Sequence, residues 1–445
     1  MLTTSLLTAF VAGALANPCG EVKTVTRTWW YQEGGSVQPQ SQAWADHELP
    51  ASTASGDGHS WSDHGPPTKT TSGTTKTMTG ASSTTTTAKP TADTVIEYST
   101  VGGYFLQDDN STSTTGFDYA NVNFGLINQT YDTDTDASLT QWQRFAVKLK
   151  DLQDSAPKDT SYKLVFMGRH GEGNHNAMES YVGTPAWNCY WALLEGANSS
   201  FIYADAPVTE SGAAQAEKAN KYWASRYAEQ KIPYIESYYS SPMQRCLQTA
   251  ELTFADLDLP AKYAFKPVIL EGLREGMAEH TCNRRSTKSW IEENFPEFSF
   301  EAGFTENDEL WTGVTAEVQP AQDFRSKTML DEVFSSDDNT YLSFTSHSGE
   351  ISSILRVVGH RLFSLSTGQI IPVLIKAVTT TPEKATTTVT SATWTPSPFC
   401  TEPPVTSIPA WGSGGGCVCQ SSAAPTITEL PDFPTVTATP ASTGA

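Results

Sequence analysis

Residues 163–176 read Lys-Leu-Val-Phe-Met-Gly-Arg-His-Gly-Glu-Gly-Asn-His-Asn. The run Lys163–Met167 is short, apolar and bounded by glycine, which is the pattern of a buried strand. The chain leaves it directly into Arg169 and His170. An arginine and a histidine at the mouth of a strand can hold a phosphate and attack it. A guanidinium binds two phosphoryl oxygens at once. An imidazole is largely unprotonated near neutral pH, so it can act as a nucleophile without a strong base.

Working outward, the texture of a folded domain runs from about Thr94 to Val378. Leu139, Trp142, Phe145, Leu149 and Leu152 fall near helical spacing. Thr209 is the expected N-cap of a helix reaching about Tyr227. Further strands are expected over 235–239, 268–270, 341–345 and 370–375. Ser241-Pro242 is read as the start of a helix, serine capping and proline in its first turn. Gly349–Phe363 is expected to be amphipathic, with Ile351, Ile354, Leu355, Val358 and Leu362 on one face. Alternating helices and strands predict an α/β fold, a three-layer sandwich with a mainly parallel sheet and helices on both faces. Such sheets bind ligands at the carboxyl ends of their strands, and His170 and His347 both follow expected strands.

The ends differ from this middle. Hydrophobic residues make up 38% of the 445, below the usual share of about 45–50%, and the shortfall lies mostly outside the domain. Residues 1–16 carry a short apolar stretch and an Ala14-Leu15-Ala16 cleavage pattern, so they are expected to be a signal peptide. Residues 17–93 are a low-complexity Ser/Thr-rich segment, and 379–445 a Thr/Pro-rich tail. Both are expected to be disordered, because neither can bury enough apolar surface to offset its ordering entropy. Together these features imply a secreted or cell-wall-associated protein, or a cytoplasmic one if residues 1–16 are not a true signal. Sequons stand at Asn110, Asn128 and Asn198. The net charge of −21 and the lack of a basic stripe argue against nucleic acid as a partner, and no stretch is long and apolar enough for a membrane span. One disulfide among Cys189, Cys246 and Cys282 is open in an oxidising compartment, although incidental buried cysteines are the favoured reading. No ligand spacing indicates a metal, and no cofactor is implied.

Five further blocks follow the Arg-His-Gly stretch: Asp205–Gly212, Ser240–Arg245 with Thr249, Leu273-Arg-Glu275, His280–Arg285 and Thr345-Ser-His-Ser-Gly349. In that order they resemble the histidine phosphatase superfamily, in its phosphoglycerate mutase-like branch, over about Thr94–Ala377. The resemblance implies that His170 is the nucleophile, forming a phosphohistidine. It implies that Arg169 and Arg245 clamp the phosphoryl oxygens, and that His347 donates to the transferring group. Glu275 matches the family's proton donor, with Glu271 and Glu279 as neighbouring rivals. Asn176 is a candidate phosphate donor or a plain turn residue. Arg284 or Arg285 is a candidate for the substrate's remote part, with ordinary surface arginines an equal reading. Of the other histidines, His175 is expected to shape the loop, His280 to line the pocket and His360 to be structural.

Three functions fit these residues. One is a phosphomonoesterase acting on small phosphate esters. Another is a mutase that returns the phosphate to a second hydroxyl of the same sugar acid. The third is a non-enzymatic Thr-rich surface protein. The ordered set of arginines and histidines favours an enzyme, and the expected signal peptide favours hydrolysis. The acid-phosphatase and phytase branch fits less well: Gly173, His175 and Ser348 stand where it carries arginine, proline and aspartate.

Overall fold

The computed structural model describes residues 94–313 and 315–381, residues 400, 403 and 404, and the backbone alone of five two-residue strands at 15–16, 22–23, 31–32, 36–37 and 394–395. A seven-stranded sheet forms the centre. In chain order its strands are β1 (Val95–Thr100), β2 (Thr160–Arg169), β3 (Ser237–Ser240), β4 (Val268–Ile269), β5 (Ser299–Phe300), β6 (Tyr341–Ser346) and β7 (Ile370–Thr380). Their spatial order is β5-β4-β3-β6-β2-β7-β1. The first five neighbours in that order pair in parallel, and β7 runs antiparallel to both β2 and β1. The helices are α1 (Gln141–Asp154), α2 (Asn174–Val182), α3 (Thr184–Cys189), α4 (Glu210–Glu229), α5 (Gln244–Phe254), α6 (Lys288–Asn294), α7 (Gln319–Ser336) and α8 (Ser348–Val357).

Side chains alternate across a strand, and β2 shows why helices cover both faces. Val165 and Met167 enter one core with Leu342 and Phe344 of β6, beneath Met329, Leu330 and Val333 of α7 and Ile351, Ile354 and Leu355 of α8. Leu164 and Phe166 enter the other, beneath Trp142, Phe145 and Leu149 of α1 and Trp223 of α4. Each such side chain contributes about 1.5–3 kcal/mol on burial. The expected three-layer α/β sandwich, mostly parallel, is what forms. Thr209 caps α4 as expected, its side chain accepting from Gly212 N.

Several boundaries differ from expectation. Helix α8 stops at Val357 rather than Phe363, because Gly359 turns left-handed at φ 66° and ends it. Leu362 is consequently exposed rather than on the apolar face. Helix α5 begins at Gln244, so Ser241 is not its cap. The Gln244 N–H donates instead to Asp205 Oδ1 at 2.8 Å. Strand β7 reaches Thr380 because its second half pairs with β1, an edge strand whose half-exposed residues gave no clear signal.

The expectations for residues 1–16 and 17–93, and most of that for 379–445, lie outside the described residues. Within the tail, Trp394–Thr395 pairs antiparallel with Ala316–Glu317. Cys400 is buried, and its N–H donates to the Cys189 carbonyl at 2.8 Å. At these points the tail meets the domain. Among the described residues, no helix is long and apolar enough to cross a membrane.

Candidate active site

Three neighbouring parallel strands, β3, β6 and β2, end side by side, with Thr345 opposite Ser240 and Ser346 opposite Arg169. The ladder continues one residue further: Ser241 N–H donates to Thr345 O (3.0 Å) and His170 N–H to Ser346 O (2.9 Å). Ser241, His347 and His170 therefore issue from one edge, and the two imidazole centroids lie 5.0 Å apart.

His170 is buried. Its Nδ1 lies 2.7 Å from Gly171 O, a carbonyl that can only accept, so the proton sits on Nδ1 and Nε2 keeps its lone pair. Arg245, also buried, donates its Nε–H to that Nε2 (3.3 Å) and its Nη1–H to Cys282 O (2.9 Å). Arg169 donates Nη1–H to Leu365 O (2.8 Å), while its buried Nε has no partner. Burial first, then the Arg245 and Arg169 charges, hold the His170 pKa well below 6.5. A neutral imidazole beside two guanidiniums can attack phosphorus at physiological pH.

His347 is the N-cap residue of α8, and its side chain makes no capping bond there. Its Nε2 lies 2.9 Å from Ser241 Oγ and 3.3 Å from Cys246 Sγ. Burial, then Arg245 and His170, press its pKa well below 6.5. Burial also pushes the Cys246 thiol up to about 12, so it stays protonated. Cys189, Cys246 and Cys282 are all free, so the disulfide left open among them does not form. Cys246 is held on His347, and Cys189 lies 3.8 Å from Cys400 Sγ.

Glu275 accepts from Gly276 N (2.9 Å) and, across the site, from Gly349 N in the first turn of α8 (3.1 Å). That second bond brings it beside His347. Its rival Glu271 is engaged elsewhere, bonded to Arg274 and Arg285. Glu279 is buried, with Oε2 unpartnered. Asn176 accepts the Gly173 N–H on Oδ1 (3.0 Å), which gives it the turn-forming role.

Neither arginine suggested for the substrate's remote part joins the histidines. Arg284 pairs with Glu195 at 2.5 Å and lies over the Trp311 ring. Arg285 is buried among Glu271, Thr305, Glu306 and Asn307. Carboxylates and carbonyls close by in space, though not in sequence, explain both. His360 is structural as expected, with Nε2 on Asp108 and Nδ1 on Arg361 O, although it lies beyond α8 rather than on it. His280 lies in the segment that closes over Trp187, their rings 6.2 Å apart.

Ser241, Asp205 and Thr249 were not singled out as site residues. Asp205, buried with φ 42°, ties the start of α5 to Ser286. Thr249 accepts the Gly171 N–H at 2.9 Å. The positive φ is one that aspartate tolerates, but nothing in the sequence foretells its partners. The loop itself needs glycine. A Cβ on Gly171 would lie 2.3 Å from Gly212 O, and one on Gly212 would lie 2.1 Å from Glu172 O. Among the described residues, no group of three or more His, Cys, Asp or Glu is placed to hold a metal.

The model of the histidine phosphatase superfamily (branch 1) matches residues 199–371, a span that holds Arg245, Glu275 and His347 and begins after His170. A probable phosphoglycerate mutase of Arthroderma benhamiae is 46% identical over 290 residues, covering 64% of this chain and 86% of the relative. Phosphomutase-like protein 3 of Candida albicans is 33% identical over 280 residues, covering 63% and 80%. A probable phosphoglycerate mutase of Saccharomyces cerevisiae is 32% identical over 258 residues, covering 53% and 86%. The chain thus belongs to the histidine phosphatase superfamily, in its phosphoglycerate mutase-like branch.

Proposed function

We propose that the protein is a phosphomonoesterase that hydrolyses small phosphate esters through a phosphohistidine on His170. The observation that carries this reading is the unprotonated Nε2 of His170, which accepts from Arg245 and is flanked by Arg169. An incoming phosphoryl group takes the Arg245 Nε–H from the imidazole, which frees the lone pair. The Nε2–P bond then forms as the P–O bond to the leaving group breaks. Both guanidiniums and His347 balance the charge on the equatorial oxygens. Glu275 donates a proton to the departing oxygen. It then takes one from the water that cleaves the N–P bond, returning the electron pair to Nε2.

The mutase reading has its own support, the names of the fungal relatives. Hydrolysis is favoured by the engagement of the nearby cations. Arg274, Arg284 and Arg285 are each paired with carboxylates, so none of them is at hand for the carboxylate of a phosphoglycerate. The expected signal peptide and the exposed sequons at Asn110, Asn128 and Asn198 support a secreted setting. There a glycolytic substrate and a bisphosphoglycerate primer would be lacking.

The deciding experiment incubates the pure protein with an aryl phosphate and with 3-phosphoglycerate, with and without a bisphosphoglycerate primer. Release of inorganic phosphate, abolished in His170→Ala, is the expected result. Isomerisation only with primer would replace hydrolysis by the mutase reaction. Absence of both, and of an acid-labile phosphoenzyme, would end both readings.

A further inference from the structure

We infer that His175 is a further ligand of the bound phosphoryl group, and that its imidazole takes up a proton when the anion enters. This deepens the phosphatase reading and rests on its anion site. His175 is the second residue of α2, two positions after the Gly173 N-cap. A helix N-terminus favours an anion through its dipole. The imidazole lies 5.5 Å from that of His170, centroid to centroid, so both rings border one space.

A buried imidazole ordinarily has partners, and His360 shows the ordinary case, with both ring nitrogens bonded. His175 is buried to a similar degree, yet its Nδ1 has no hydrogen-bond partner. Its ring packs over Gly173, where a Cβ would come within 2.8 Å of Nδ1.

The charged and titratable groups around it come from four places, one of them the end of β6 with His347. Arg245 reaches it from α5, Arg169 and His170 from the end of β2, and His280 from the capping segment. On its own helix Glu179 is bonded to Thr184 instead. Burial, then the Arg245 and Arg169 charges, hold the ring neutral. A phosphate dianion reverses that field and supplies the missing acceptor, so a proton moves from solvent onto the ring and the ring then donates to a phosphate oxygen. A loop-shaping role, the expectation from sequence, would instead leave the nitrogen satisfied within the loop.

The test measures binding of inorganic phosphate by calorimetry at pH 7, in two buffers of different ionisation enthalpy. Wild-type protein is expected to take up more protons per anion bound than His175→Phe. The variant is also expected to bind phosphate about tenfold more weakly. His175→Gln retains a donor but cannot titrate, so it should lose the proton uptake while keeping part of the affinity; it also serves if the phenylalanine variant fails to fold. Equal uptake and equal affinity in wild type and in either folded variant would overturn the inference. A His175-dependent uptake without any phosphoenzyme in turnover would remove the phosphohistidine reading and leave this anion ligand standing. A trapped phosphoenzyme with His175-independent binding would do the reverse.

Discussion

Two groups of arginines in this fold are satisfied in opposite ways. Arg274 and Arg285 are closed in by Glu271, Asp308 and the carbonyls of 283 and 305–307. Each guanidinium there meets carboxylate, and Asp308 is held down to about 2, the Arg274 hydrogen bond and charge outweighing burial. Arg169 and Arg245 face imidazoles instead. Their partners are His170 and two carbonyls, and the Arg169 Nε has none. A buried charge without its counter-ion is costly. A chain that builds hydrogen-bonded ion pairs at one place, and at another leaves guanidiniums with no carboxylate bonded to them, has a site that an anion completes.

The difference can be tested by removing members of each group. His170→Ala should have the largest effect, lowering turnover of an aryl phosphate by about 10³-fold or more with little change in the unfolding midpoint. Arg245→Ala should lower kcat by about 10²–10³-fold and leave stability unchanged or raised, because no carboxylate is hydrogen-bonded to this buried cation. In the satisfied group the pattern should invert. Asp308→Ala strands buried guanidiniums and should cost about 3–5 kcal/mol of stability in denaturant titration. A stable Asp308→Ala protein would contradict the contrast directly.

Acid should distinguish the two groups as well. His175 has a folded pKa well below its unfolded value of about 6.5. Below that pH the unfolded chain binds a proton that the folded chain refuses, so the stability the group contributes is lost as pH falls. His175→Phe escapes this loss. Its stability relative to wild type should rise by up to about 1.4 kcal/mol per pH unit below about pH 6.5. Asp308 has a depressed carboxylate pKa, so its contribution is present above about pH 3.8 and is lost only as pH falls through about 2. The smallest effect should come from Arg284→Ala, which breaks a partly exposed ion pair with Glu195. That change should stay within about 1 kcal/mol and leave KM for an aryl phosphate unchanged.

The readable part of the site was the part adjacent to strands. Arg169, His170 and His347 each sit at or within a residue of a strand end, so a short apolar run betrays them, and the parallel sheet then guarantees that they meet. Residues that act through distant partners gave no such signal. Ser241 looks like a cap because serine before proline usually is one, but its hydroxyl goes to a histidine from another strand. Arg285 looks available in sequence because Glu271 and residues 305–307 approach it only in the fold. Among the three glutamates, order in the chain favoured Glu275 without placing its side chain. The bond to Gly349 did that. The left-handed turn at Gly359 illustrates the same limit for elements: the apolar periodicity continues through it, while the backbone does not.

The crossing of Gly171 with Gly212 has an evolutionary corollary. Backbone atoms of Gly212 occupy the volume that a methyl group on Gly171 would need, and backbone atoms of Glu172 the volume that one on Gly212 would need, so neither position has a conservative replacement. A randomised library at either codon, selected for growth on a phosphate ester, should return glycine alone, whereas one at Arg284 should return nearly anything.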